Sequence, residues 1–223
     1  MWRQSKKLGS LLGDVEDISR RKQLAAIALQ AMNKIWIQNY KTISLQIRIQ
    51  LFEALVLSIL LYNCSCWGLR KCDSENLNSF HRRLLRQICK FHWPHTISSH
   101  KLYKLTGTQP LTIRIASARW KYFGHALRMN ANAPPRMAMN YFFQPETTLK
   151  KFGGSKRATI VTTLQSDIQA TKHKFPHFQI KNLISINDLE TIRIIALDRK
   201  SWRRITKAVT DTVQANCLAL QGN

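Results

Sequence analysis

Turn-forming residues are scarce in this chain of 223 residues, which has 8 glycines and 6 prolines. Both fall below the roughly 7% and 5% shares of an average protein. An all-β fold needs a tight turn after every short strand, so this shortage argues against one and favours helix. Long apolar runs are lacking as well. The longest uncharged stretch, Ala54 to Leu69, is 16 residues and carries Ser58, Asn63 and Ser65, short of the roughly 20 apolar residues that cross a bilayer. It reads as a buried core helix, and no membrane partner is expected. No basic, apolar and cleavage-site pattern opens the chain, so no secretory signal is expected either. The cysteines number five and follow no even spacing, which points to reduced thiols in a nuclear or cytoplasmic protein rather than a secreted disulfide framework.

Acidic residues are the most telling shortage. There are 12 Asp and Glu against 35 Lys and Arg, a formal net charge of +23. Between Asn76 and Pro145 no Asp or Glu occurs, while eleven Lys and Arg do. A surface built only for solubility mixes its signs, so this one-signed stretch reads as a field for a polyanion, with nucleic acid the leading partner. Few acids also mean few metal ligands. Two-metal phosphoryl transfer needs clustered carboxylates that hold ions about 3.5 to 4 Å apart. This chain has no Asp-Asp pair, and its tightest acidic group, Asp14, Glu16 and Asp17, suits the positive end of a helix dipole. Phosphate-binding glycine loops, the nucleophile elbow and the His-Glu-x-x-His zinc motif are absent. No catalytic residue is assigned. Cys64-x-Cys66, with Cys72 and His81 or with His92 and His95, lacks the matched pairs of a structural zinc site and reads as buried thiols.

What is present is amphipathic helix. Asp14 is placed to cap a first helix running to about Trp36, with Ile18, Leu24, Ala28, Ala31 and Ile35 near helical spacing. Thr42 or Ser44 opens a second, and a third starts near Asp73 or Ser74, with Leu77, Phe80, Leu84, Ile88 and Phe91 stepping by three and four. On its other face Arg82, Arg86 and Lys90 step by four, and Trp93-Pro94 is expected to end it. A short helix from Ser98 or Ser99 stops at Gly107. The clearest amphipathic run follows Pro110, with Ile113, Ala116, Trp120, Phe123 and Leu127 on one side and Arg114, Lys121 and Arg128 seven apart on an adjacent side. Ala133-Pro134-Pro135 breaks it, and a short helix covers Met137 to Phe142. A basic linker spans 144–159, and a modest helix covers Ile160 to Ala170. Ser185-Ile-Asn-Asp188 caps one long final helix, with Trp202, Ile205, Val209 and Val213 on its buried side. His81 and His125 sit where a phosphate could approach, although a packed imidazole explains them equally. Trp120 and Trp202 belong to the core. Trp93, at a helix end beside Pro94 and His95, is open to either use.

Four stretches carry a resemblance. Leu57-Ser-Ile-Leu-Leu-Tyr-Asn-Cys-Ser-Cys-Trp67, Phe80-His-Arg-Arg-Leu-Leu-Arg-Gln-Ile88, Trp120-Lys-Tyr-Phe-Gly-His-Ala-Leu-Arg128 and Leu197-Asp-Arg-Lys-Ser-Trp202, in this order, resemble the C-terminal part of non-LTR (LINE-type) retrotransposon reverse transcriptases. Lys7-Leu8-Gly9-Ser10 resembles the turn of that family's primer grip. The resemblance implies an all-α fold, a polymerase-thumb-like helical bundle followed by a basic linker and a smaller helical tail. It divides the chain into a primer-grip-like remnant at 1–13, a thumb-like domain at 14–143, the linker at 144–159 and a tail at 160–223. It also implies that fingers and palm lie upstream of this chain, so that the chain is not an enzyme on its own and any magnesium belongs to that palm.

The implied partner is RNA or an RNA-DNA duplex, held by its phosphates without sequence preference. The implied contacts are Lys6 and Lys7 near the primer strand, Arg82, Arg83, Arg86 and Lys90 on one helix, and Arg114, Lys121 and Arg128 on another. Lys150, Lys151, Lys156 and Arg157 in the linker add to them. Two rival expectations stand beside this one: a free-standing basic helical adaptor or relic, and an enzyme completed in trans by a palm-containing polypeptide.

Overall fold

The structure, a computed structural model, describes residues 5–7, 9–38, 41–143, 158–174 and 183–219. Its first element is a short antiparallel hairpin of Lys6–Lys7 (β1) and Ser10–Leu11 (β2), with Lys6 opposite Leu11 and Lys7 opposite Ser10. Two residues per strand cannot hold a hairpin together alone. This one is tied to the helix that follows, α1 (Asp14–Ala31). Asp17, 1% exposed, accepts from the Leu11 amide at 2.9 Å, and Arg21 donates to the Gly9 carbonyl at 2.6 Å and to Ser10 Oγ at 3.1 Å. One acid of the Asp14, Glu16 and Asp17 group is therefore a buried strut.

α1 is capped by Gly13 rather than Asp14, and it ends at Ala31, short of the expected Trp36. A π-helical segment, Lys34–Gln38, continues the chain. Trp36 is fully buried there and donates from Nε1 to the Leu29 carbonyl at 2.9 Å, so the indole seals the interrupted helix end. α2 (Leu45–Leu51) starts at Ser44, whose side chain accepts from the Ile47 amide. It runs through a π-helical segment, Phe52–Leu57, into α3 (Ser58–Leu60).

α4 (Lys71–Cys89) stops before Trp93-Pro94, the residues expected to end it. Lys90 takes a left-handed backbone, φ 59°, while the Phe91 amide donates to the Arg86 carbonyl at 2.9 Å and the Lys90 amide to the Gln87 carbonyl at 3.2 Å. This is a Schellman-type stop with lysine where glycine is usual. α5 (Ser99–Thr106) is capped by Ser98 and ended by Gly107 at φ 64°.

α6 (Leu111–Arg128) is followed by α7 (Pro134–Phe142), which begins at the two prolines expected only to break the chain. The first helical turn needs no amide donor, so proline suits it. α8 (Ile160–Thr171) and α9 (Ile186–Leu197) each start with a reciprocal capping box, Thr159 with Thr162 and Ser185 with Asp188. The expected single final helix is divided: α9 ends at Asp198, φ −80° and ψ 104°. The Asp198 carboxylate then accepts from the Lys200 and Ser201 amides, starting α10 (Arg199–Ala219).

The described residues form two compact units, one within Met1–Cys64, Lys71–Thr112 and Cys217–Asn223, the other within Ser65–Arg70 and Ile113–Asn216. In the first, Leu29, Phe52, Val56, Leu60, Leu77, Leu85, Ile88 and Leu102 are fully enclosed or nearly so. In the second, Trp120, Phe123 and Leu127 of α6 share one core with Met139, Leu164, Ile168, Leu189, Ile192, Trp202, Ile205 and Val209. The helices α6 and α7, expected within 14–143, thus pack with the C-terminal helices. Apart from Ala158 and Thr159, the linker lies outside the described residues. Among the described residues no helix is long and apolar enough to cross a membrane.

Candidate nucleic-acid interface

The second unit is organised around close approach of α6 and α10. Trp202 lies 5.5 Å from Trp120 and 5.8 Å from Phe123, ring centre to ring centre, and donates from Nε1 to the Trp120 carbonyl at 3.0 Å. Gly124 leaves the space for it. Opposite, on α8, Asp167 Oδ2 accepts from Arg119 Nη2 at 2.8 Å and from Trp120 Nε1 at 2.8 Å. Arg119 is 4% exposed and paired to Asp167 through Nε and Nη2, so it is part of the scaffold rather than the surface.

With their apolar faces locked together, α6 and α10 present basic faces to one open cleft of about 600 Å³. Lys121, His125 and Arg128 line it from α6, and Arg199, Arg203 and Lys207 from α10, with Trp202 and Thr206 below them. Among the described residues no carboxylate lines it. Arg199, Arg203 and Lys207 recur every four residues and so share one helix face. Arg128 is anchored by donation from Nη1 to the Ala196 carbonyl at 3.0 Å. Its pKa is lowered by burial and by the neighbouring Arg199, as expected where like charges are gathered without an anion between them.

The α4 cations of the first unit are arranged differently. Arg83 is exposed, its guanidinium 5.1 Å from the centre of the Phe80 ring. Lys22 of α1 reaches the same ring at 5.3 Å, and its pKa is lowered by burial and then by Arg83. Arg82 and Arg86 are half-buried. Burial raises the pKa of the Tyr103 phenol while Arg82 and Arg86 pull it down, and Arg86 Nη2 donates to the Ile97 carbonyl at 3.3 Å. Lys90 lies past the helix end. The four residues therefore do not form one exposed stripe.

Of the other expected contacts, Lys121 and Arg128 come together in the α6–α10 cleft, while Arg114 is half-buried and does not line it. Lys6 and Lys7 stand in the hairpin, with their side chains outside what the structure describes. Lys150, Lys151, Lys156 and Arg157 lie outside the described residues altogether. Arg199, Arg203, Lys207 and Lys22 were not anticipated. For the first three the sequence does hold a signal, a four-residue repeat adjoining the apolar Trp202, Ile205 and Val209 series.

Two of the acids are taken up within the fold. Asp17 is buried against Leu11 and Arg21, and Asp167 against Arg119 and Trp120. Among the described residues no three His, Cys, Asp or Glu side chains converge on a metal position. Burial pushes the Cys89 thiol up to about 11, against the opposing pull of Arg48, so it is a packed thiol rather than a thiolate nucleophile. No protein-family model, curated protein or solved structure matches the chain.

Proposed function

We propose that this chain binds RNA or an RNA-DNA duplex through its phosphates, as the C-terminal thumb and tail of a non-LTR retrotransposon reverse transcriptase whose chemistry resides in a palm elsewhere. The observation that carries the binding is the α6–α10 cleft, in which Lys121, Arg128, Arg199, Arg203 and Lys207 converge with no carboxylate among the described lining residues. Each cation set on a phosphate releases a condensed counterion, which makes binding strong at low salt and insensitive to sequence. Contacts to the phosphates position a duplex without reading its bases. The polymerase family rests on the four sequence stretches and their order.

The test is fluorescence anisotropy of a labelled RNA-DNA duplex with the full chain across a salt series. The expected result is binding whose logarithm falls linearly with the logarithm of salt. The triple variant Arg199→Gln, Arg203→Gln, Lys207→Gln should lower that slope by about 2 to 3, roughly 0.7 to 0.9 for each phosphate that is no longer neutralised. Neutralising Lys172 and Lys174, which are exposed and do not line the cleft, should change it less. Salt-independent binding, or none at modest salt, overturns the proposal.

A further inference from the structure

Trp93 differs from the other described tryptophans. It is 88% exposed, whereas Trp36, Trp67, Trp120 and Trp202 are at most 3% exposed. An indole left in water forgoes the stabilisation that burial of a large aromatic brings. Along the sequence it stands alone: no other large hydrophobic residue between Tyr62 and Leu105 is exposed. Protein-binding anchors sit amid contacts that exclude water. A lone ring fits a flat ligand that brings its own aromatic surface.

The turn that carries it is firmly built. Arg86 clasps both ends: its carbonyl accepts from the Phe91 amide and its guanidinium donates to the Ile97 carbonyl. Lys90 enters the turn in the left-handed region, where a side-chain-bearing residue is disfavoured. His92 and His95 flank Trp93 and are exposed, and the surrounding sequence from Asn76 to Pro145 contains no acid. An exposed indole in an acid-free stretch of sequence offers the two features of single-strand recognition, a π-face for a base and positive charge for its phosphate.

We propose that Trp93 is a stacking platform for an unpaired nucleobase of a bound strand, with the cations Lys90 and Arg83 meeting the adjoining phosphates. This rests on the nucleic-acid reading above and adds a preference for single-stranded ends. The experiment compares a blunt RNA-DNA duplex with the same duplex carrying a three-nucleotide overhang, against the full wild-type chain, Trp93→Ala and Trp93→Phe. Wild type should prefer the overhang. Trp93→Ala should weaken overhang binding by about 5- to 150-fold, the span of one stacked base, and leave blunt-duplex binding within about twofold. Trp93→Phe should retain most of the preference. If Trp93→Ala leaves the overhang preference intact, or weakens both probes equally, the stacking role is overturned while duplex binding stands. If the wild-type chain binds neither probe, the functional proposal falls with it.

Discussion

A Cβ placed on Gly124 would stand 2.1 Å from the Trp202 indole nitrogen and 2.4 Å from Cε2. The absence of a side chain at one position of α6 thus sets how closely α10 lies against it, and with that the separation of the basic residues on the two helices.

Gly124→Ala is expected to destabilise the chain although alanine is the better helix former by about 1 kcal/mol. The Trp202 ring cannot yield, because it is hydrogen-bonded to the Trp120 carbonyl and packed between Trp120 and Phe123. Overpacking of this kind typically costs about 1 to 3 kcal/mol. Urea denaturation should show a lower midpoint, and a midpoint equal to or above wild type would refute the close packing.

Asp167→Ala should be more severe. It removes the acceptor of both Arg119 and Trp120 and strands a guanidinium that is 4% exposed. Breaking a buried ion pair from one side costs about 3 to 5 kcal/mol. Asp167→Asn keeps a carbonyl for the Trp120 indole and should lose less. Equal losses for the two variants in chemical denaturation would mean that the indole contact contributes nothing.

Much of this was legible in the sequence where a local rule acts alone. The Ser98 cap, the Gly107 stop, the Ser185 and Asp188 box and the buried series Ile113, Ala116, Trp120, Phe123 and Leu127 of α6 stand as periodicity and capping chemistry require. Misread boundaries fell where two rules competed. Trp93-Pro94 masked an earlier stop at Lys90, because a left-handed lysine carries no composition signal. Asp198 interrupted a run whose apolar spacing continues on both sides. The cleft was half legible: the seven-residue spacing of Arg114, Lys121 and Arg128 identified a basic side of α6. Only the docking of α10 showed which partners face Lys121 and Arg128 and that Arg114 is not among them.

Cys89 gives a pH test. Its folded thiol is raised to about 11, first by burial, with Arg48 opposing, against about 8.5 for a free thiol. A raised thiol pKa means the unfolded chain ionises first, so the contribution to stability is complete below about pH 8.5 and is lost as pH climbs toward 11. Alkylation at pH 8.5 should therefore modify exposed Cys72 well before Cys89. Mass spectrometry showing equal rates would contradict the burial.

Lys90→Gly separates backbone strain from charge. The residue holds φ 59° at the stop of α4, a conformation that glycine adopts without steric penalty. Relief of that strain is worth about 1 kcal/mol, within the 1 to 2 kcal/mol ascribed to left-handed backbone with a Cβ. The variant should therefore unfold at higher urea than wild type, despite losing the lysine side chain and its contacts. If Lys90 also holds a phosphate beside the unpaired base, the same substitution should lower the salt slope of overhang binding by about 1, so that stability and affinity move in opposite directions. A gain in stability with unchanged binding would leave Lys90 as a strained helix stop alone. A loss of both would show that the lysine side chain itself holds the turn in place.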